Sequence, residues 1–452
     1  MTDYMAAAQE KANFIEAQRL DGLARWRRTD ASDATDFGLY HGSSGIILLL
    51  LELHRATGSA TALAQAVAAG EEVAAYIVQV ERLTVGVSRG WPGYAFIMNE
   101  LARASGRDKF RALAVQCLDR LRAQASELGA GIGWIEPMPF SELTGLTGDR
   151  EIFDQAVGAA GAGLALLYCH RHAVHPRALE WAVATAERLL EVAESTPDGL
   201  RWKTMADQPF PFTAPNFSHG GAGVGYFMAE AYKATGKARY LDAAKEAARY
   251  VLSRAAAVGD GKLVCHTEEA RNPVYYLGAC HGPAGTGRLF LELAAITGEA
   301  VWLEEARALT RGLLALGAPE SRSAGLWNNH GQCCGDAGVG EFALLMAHRT
   351  GDEDYLALAR RCADVIVANS HTEKGCRSWM QAEHRGRPEF LEAQTGYMQG
   401  AAGIASFLVH LATTLDGRPV KIALPDWPAD LGKGIEVATL QCELPSSAQR
   451  PV

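Results

Sequence analysis

The chain has 452 residues, of which 48% are apolar and 21% charged, and a formal net charge of −9. This is the composition of a water-soluble globular protein, and the acidic balance gives no footprint for nucleic acid or an anionic membrane surface. The longest apolar runs, such as GIILLLLEL, are too short to span a bilayer, and the first residues lack the uninterrupted apolar stretch of a secretion signal, so the expected location is cytoplasmic. In a reducing compartment, clustered members of the nine cysteines point to metal or chemistry before disulfides.

The first element, from roughly Tyr4 to Arg25, reads as an unpaired amphipathic helix. A Gly-x-x-Gly motif then recurs seven times: Gly42/Gly45, Gly90/Gly93, Gly158/Gly161, Gly220/Gly223, Gly282/Gly285, Gly335/Gly338 and Gly400/Gly403. After five of these copies a turn glycine follows the second motif glycine by 13 residues, as from Gly45 to Gly58 or from Gly338 to Gly351. The third copy substitutes HAVHP for the turn, and the seventh ends at Asp416-Gly417. The segment between motif and turn is apolar on most faces and is predicted to be a buried inner helix. The segment after the turn, as in KARYLDAAKEAARYVL, has one polar face and is predicted to be an outer helix.

The seventh hairpin lacks an outer helix, and the N-terminal helix lacks an inner one. Pairing them closes the ring. The expected fold is therefore all-α: a closed (α/α)7 toroid over residues 1–420, with residues 1–30 supplying the outer helix that closes it. Residues 421–452 are expected to form an irregular tail packed on the surface. The glycines would also bring seven helix N-termini to one end of the ring, as donors for developing negative charge.

The positions before the first motif glycines are His41, Arg89, Val157, His219, His281, Cys334 and Gln399, with Cys280 and Cys333 one residue further back. In a closed ring all of them face one central cavity, and Cys280, Cys333 and Cys334 converge from neighbouring repeats. Three thiolates suit a tetrahedral zinc ion with one open position, one ion per chain, at one end of the cavity. His219 stands at the same level and has the chemistry of an acid/base near neutral pH. His281 is a further ligand or a lining residue, Asp154 an orienting carboxylate or a helix cap, and Trp134, Trp202 and Trp327 candidate walls of a peptide groove or packing residues. A toroidal glycosidase or epimerase would need paired carboxylates in the cavity, and the pre-glycine positions carry none.

Together the seven hairpins, ACHGPAG, QCCGDAG and SHGGAGVGYF resemble the lanthionine synthetase C-like family over nearly the whole chain. The resemblance implies an α/α toroid around zinc and a cyclase that joins a peptide cysteine thiol to dehydroalanine or dehydrobutyrine as a thioether. It implies Cys280, Cys333 and Cys334 as zinc ligands, His219 as acid/base and Asp154 as an acidic residue of the site. Two positions depart from the family: Ala279 replaces a frequent Trp before the first zinc cysteine, and the frequent upstream Arg is represented only by the more distant Arg271, with Tyr276 nearby. The implied partners are a dehydrated precursor peptide made by a separate dehydratase, or a small thiol such as glutathione acting on dehydrated proteins. A non-catalytic zinc-binding scaffold is a further alternative.

Overall fold

Each Gly-x-x-Gly opens a helix because its first glycine takes the extended capping conformation and the residues beyond it are apolar with no internal breaker. In the computed structural model, which describes residues 2–137, 147–208, 213–268, 273–428 and 434–435, these inner helices are α2 (Ser43–Thr57), α4 (Trp91–Ser105), α6 (Ala159–Arg171), α8 (Gly221–Thr235), α10 (Pro283–Thr297), α12 (Asp336–Thr350) and α14 (Ala401–Leu415). Their first two-thirds are buried on every face. The predicted turn glycines end five of them in the left-handed region, where a side chain is costly. In the third repeat Ala173 takes that conformation at φ 49°.

The outer helices are α1 (Tyr4–Ala17), α3 (Ala60–Gln79), α5 (Asp108–Ala123), α7 (Ala178–Glu191), α9 (Ala238–Ser253), α11 (Ala300–Ala315) and α13 (Glu353–Ala368). Each inner helix packs on the next, α14 packs on α2, and α1 packs on α14. The ring is closed by the N-terminal helix, as its unpaired amphipathic pattern requires.

Three expectations need correction. Helix α1 stops at Ala17, well before Arg25, because the chain turns at Gly22 with φ 71° and then forms a hairpin of β1 (Arg27–Thr29) and β2 (Ser32–Thr35). Five more short antiparallel hairpins occupy the loops: β3 (Ser126–Leu128) with β4 (Gly131–Gly133), β5 (Ile135–Pro137) with β6 (Asp149–Glu151), β7 (Glu194–Thr196) with β8 (Gly199–Arg201), β9 (Ala255–Val258) with β10 (Gly261–Val264), and β11 (His371–Glu373) with β12 (Cys376–Ser378). The loop tryptophans belong to this scaffold. Trp134 and Trp202 are buried and donate Nε1–H to the carbonyls of Leu121 and Leu189 at the ends of outer helices, and Trp327 donates to Ala382. They anchor loops and do not line a groove.

The third correction concerns the tail. Of the expected tail over 421–452, residues 429–433 and 436–452 lie outside the described residues, and residues 421–428 enter the ring. Ile422, Leu424 and Trp427 are buried, the Ile422 amide donates to Glu52, and Arg288 of α10 pairs with Asp426 at 3.1 Å beneath the Trp427 ring. Apolar side chains at every second or third position let an irregular strand fill the end of the ring that the inner helices leave open.

Candidate metal and thiol site

Main-chain hydrogen bonds run from loop to loop around the motif end of the ring. The Ala156 amide donates to Ser218, Ser218 to Cys280, Cys280 to Cys333, Cys333 to Met398, Met398 to Tyr40, and Tyr40 to Ser88, at distances of 2.9 to 3.2 Å. This belt fixes the residues before each motif glycine at one level. A further glycine makes it possible, four residues before the first motif glycine in five repeats. A Cβ on Gly278 would lie 2.7 Å from Cys334 Cα, and one on Gly396 would lie 2.5 Å from His41 Cα. Each of these glycines admits the pre-glycine residue of the following repeat.

In the third repeat that position is Asp154 instead. Its carboxylate meets the pre-glycine residue of the fourth repeat, His219, with Oδ2 2.7 Å from Nδ1. Asp154 is buried, and its other oxygen accepts from the Val157 amide at 2.8 Å. The carboxylate accepts from Nδ1–H, which leaves Nε2 toward the cavity. Burial opposes a charge on His219, but the charge and hydrogen bond of Asp154, together with Cys333, outweigh it and raise its pKa above the ordinary histidine value. His219 is about one-third exposed, toward the cavity it lines.

The belt also brings the three predicted cysteines together. The sulfurs of Cys280, Cys333 and Cys334 lie within 4.8 Å of one another, and Cys280 and Cys334 are 3.5 Å apart. Tetrahedral zinc–sulfur bonds of about 2.3 Å place sulfurs about 3.8 Å apart, so this spacing fits one zinc ion. Electrostatics agree with the fit. Hydrogen bonds from Cys280 and Cys334 hold the Cys333 thiol well below its ordinary pKa, while the bond to Cys333 raises Cys280. The three thiols thus oppose one another's ionisation, and a bound cation would permit all three to ionise. Gln399 Nε2 reaches both Cys334 Sγ (3.6 Å) and the Tyr40 hydroxyl (2.9 Å), an outer layer of support.

His281 does not join the cysteines as a ligand in this arrangement. It packs in an aromatic cluster with His219, His266 and Tyr276, its Nδ1 has no partner among the described residues, and burial followed by the neighbouring histidines pushes its pKa well down. Arg271 lies outside the described residues. The arginine that reaches Tyr276 is Arg385, whose Nε donates to the hydroxyl at 3.2 Å.

Cys280, Cys333 and His219 line a cavity of about 330 Å³ with His41, Arg89 and Glu383. Thr84, Arg89, Glu136 and Pro137 also border a second, more open groove of about 630 Å³ toward the outside. Glu136 and Glu383 are carboxylates that pattern reasoning missed, because they sit in loops of variable length with no repeat register. Burial raises Glu136 to about 7, and Glu383 is engaged with His41. At the helix N-termini, in contrast, several amides are already engaged. The amides of Ser43, Ala159, Ala222, Ala337 and Ala401 each donate back to a carbonyl of their own preceding loop.

The family model for lanthionine synthetase C-like proteins matches residues 33–418. The chain belongs to the lanthionine synthetase C-like family. Among solved structures, nisin cyclase superposes with a TM-score of 0.59 at 16% identity, over 89% of this chain and 93% of that one. Cellobiose 2-epimerase from Bacillus thermoamylovorans B4167 superposes with a TM-score of 0.53 at 12% identity, over 92% and 100%. At these identities both likenesses are of fold. No curated protein sequence matches. Within the family fold, the two departures read from the sequence take physical form. Ala279 packs at the belt where a larger residue is frequent, and Tyr276 with Arg385 occupies the approach to the cysteines. No described helix is long and apolar enough to cross a membrane.

Proposed function

We propose that the protein is a zinc-dependent cyclase that adds a peptide cysteine thiol to dehydroalanine or dehydrobutyrine, forming lanthionine or methyllanthionine rings. The observation that carries this reading is a cluster of three sulfurs, two of whose cysteines line one cavity with His219, itself held by Asp154, in a chain of this family. Cys280, Cys333 and Cys334 would hold the zinc. When bound, zinc supplies the Lewis acidity that keeps a substrate thiol ionised and nucleophilic at neutral pH.

The remaining work falls to the chain itself. Asp154 fixes the His219 tautomer, so Nε2 takes the thiol proton as sulfur adds to the β-carbon and returns it to the α-carbon afterwards. Sulfur and hydrogen add across the carbon–carbon double bond, and no oxidant or second substrate is needed. The groove beyond Thr84 and Arg89 supports a polypeptide carrying the dehydro residue as substrate.

The test uses a synthetic peptide carrying one dehydroalanine and one cysteine. Cyclisation leaves its mass unchanged and abolishes alkylation of its thiol. A parallel reaction of glutathione with a cysteine-free dehydroalanine peptide reads the small-thiol alternative as an added glutathione mass. Loss of alkylation in the first assay supports the cyclase, adduct formation in the second alone supports the alternative, and neither product leaves the zinc scaffold.

A further inference from the structure

Addition of a thiolate to a dehydro residue pushes the double-bond electrons onto the adjacent carbonyl oxygen, so a donor must face that oxygen as charge develops. At the second-repeat N-terminus the Trp91 amide donates back to Thr84 of its own loop, as one amide does in five other repeats. His219 is paired with Asp154 and carries the proton, and His281 is buried in the cluster of His219, His266 and Tyr276. His384 stands at the exposed rim.

Among the described residues that line this cavity, the remaining cation is Arg89, in the pre-glycine position of the second repeat. An arginine stays protonated and only donates. Its Nη2 lies 2.8 Å from His41 Nδ1, so that nitrogen is the acceptor and the histidine proton sits on Nε2, 3.1 Å from Glu383 Oε1. The other Glu383 oxygen accepts from Gln394 at 3.0 Å. Asp36 stands 3.6 Å from Arg89 Nε. This chain holds the guanidinium by one edge and leaves Nη1 without a partner among the described residues. Arg89 also borders both the inner cavity and the outer groove, where a peptide backbone would cross from one to the other.

We propose that Arg89 is a catalytic residue of this reaction, donating from its guanidinium to the carbonyl oxygen of the dehydro residue, with His41 and Glu383 as its positioning residues. The inference rests on the thiol-addition reading above. The sulfur–carbon bond forms, the π pair moves to the carbonyl oxygen against Arg89, and the α-carbon then takes the proton from His219 as the carbonyl re-forms.

The test measures turnover and zinc content of the zinc-loaded full chain with the two dehydroalanine probes described above. Arg89→Gln is expected to lower kcat by about 10²- to 10³-fold with KM little changed, because the contact strengthens only in the transition state. Zinc per chain should stay at the wild-type value. Arg89→Lys should retain part of the activity, guanidinium ion should partly restore Arg89→Ala, and Glu383→Gln should show a smaller loss that guanidinium does not rescue. Wild-type turnover with Arg89→Gln within about threefold of it would overturn the assignment, as would loss of zinc in parallel with activity. A wild-type protein that adds neither thiol would remove the proposed function itself.

Discussion

The two ends of the central cavity carry charge in opposite ways. At the far end, acids meet bases. Glu52, Glu100, Glu230 and Glu292 recur seven residues after the second motif glycine, and Arg55, Arg171 and Lys233 reach across to them from inner helices. His410 bridges Glu341 at 2.6 Å and Glu52 at 2.8 Å, with Lys421 of the tail on Glu341. At the motif end, three thiols crowd together within 4.8 Å of one another, and a histidine held by one carboxylate turns its other nitrogen toward the cavity. Buried charge alone does not mark the reactive end. What marks it is polar groups that the protein itself leaves incomplete.

The largest effect that would break this contrast is at His219. His219→Ala is expected to slow thiol addition by about 10²- to 10⁴-fold while zinc content stays unchanged, read by turnover beside metal analysis. Unchanged turnover would remove His219 from the reaction. In the tail, Trp427→Ala should cost about 3 to 5 kcal/mol in denaturant unfolding, because the buried ring packs over Arg288.

A subtler test uses His410. Burial opposes its charge, but Glu341 and then Glu52 outweigh burial and the repulsion of Lys421, and raise its pKa to about 9. A raised pKa gives stability that is full below the ordinary histidine value and is lost as pH rises through the folded one. Unfolding free energy should therefore fall by about 3 kcal/mol between neutral pH and pH well above 9. His410→Gln should flatten that dependence, and an equally steep profile in the variant would contradict the assignment.

The smallest effect is a displacement. Asp154 raises the His219 pKa, and the neutral imidazole is the base, so the acidic limb of kcat/KM follows that pKa. In Asp154→Asn the limb should move to lower pH, with a lower plateau because the tautomer is no longer fixed. A limb that stays in place would detach Asp154 from His219.

The motif end was legible in the sequence because its chemistry is written in register with the repeat. Cys280, Cys333, Cys334 and His219 all stand one or two residues before a motif glycine, and closing the ring places them together. The fold was legible for the same reason: the Gly-x-x-Gly and the turn glycine punctuate each hairpin, and α1 is the one amphipathic helix without a mate. Asp154 was visible only as a candidate. Its meaning depends on a contact across repeats, where it takes the place of the small glycine found at Gly278 or Gly396. Arg89 and His41 were in register as pre-glycine residues, but their pairing required three-dimensional placement, as did Glu383, which lies in a loop with no register. The tail escaped because its few apolar residues, Ile422, Leu424 and Trp427, have no helical or strand period, so nothing in their spacing says that they enter the ring. The β-hairpins escaped because strands of three or four residues carry too little pattern to stand out from a loop.

The account depends most directly on the three sulfurs. Zinc per chain should be measured by elemental analysis in freshly purified, reduced protein and in Cys280→Ala. About one zinc per chain, lost in the variant, is the predicted result. Zinc-free wild-type protein, or zinc that survives Cys280→Ala undiminished, would contradict it.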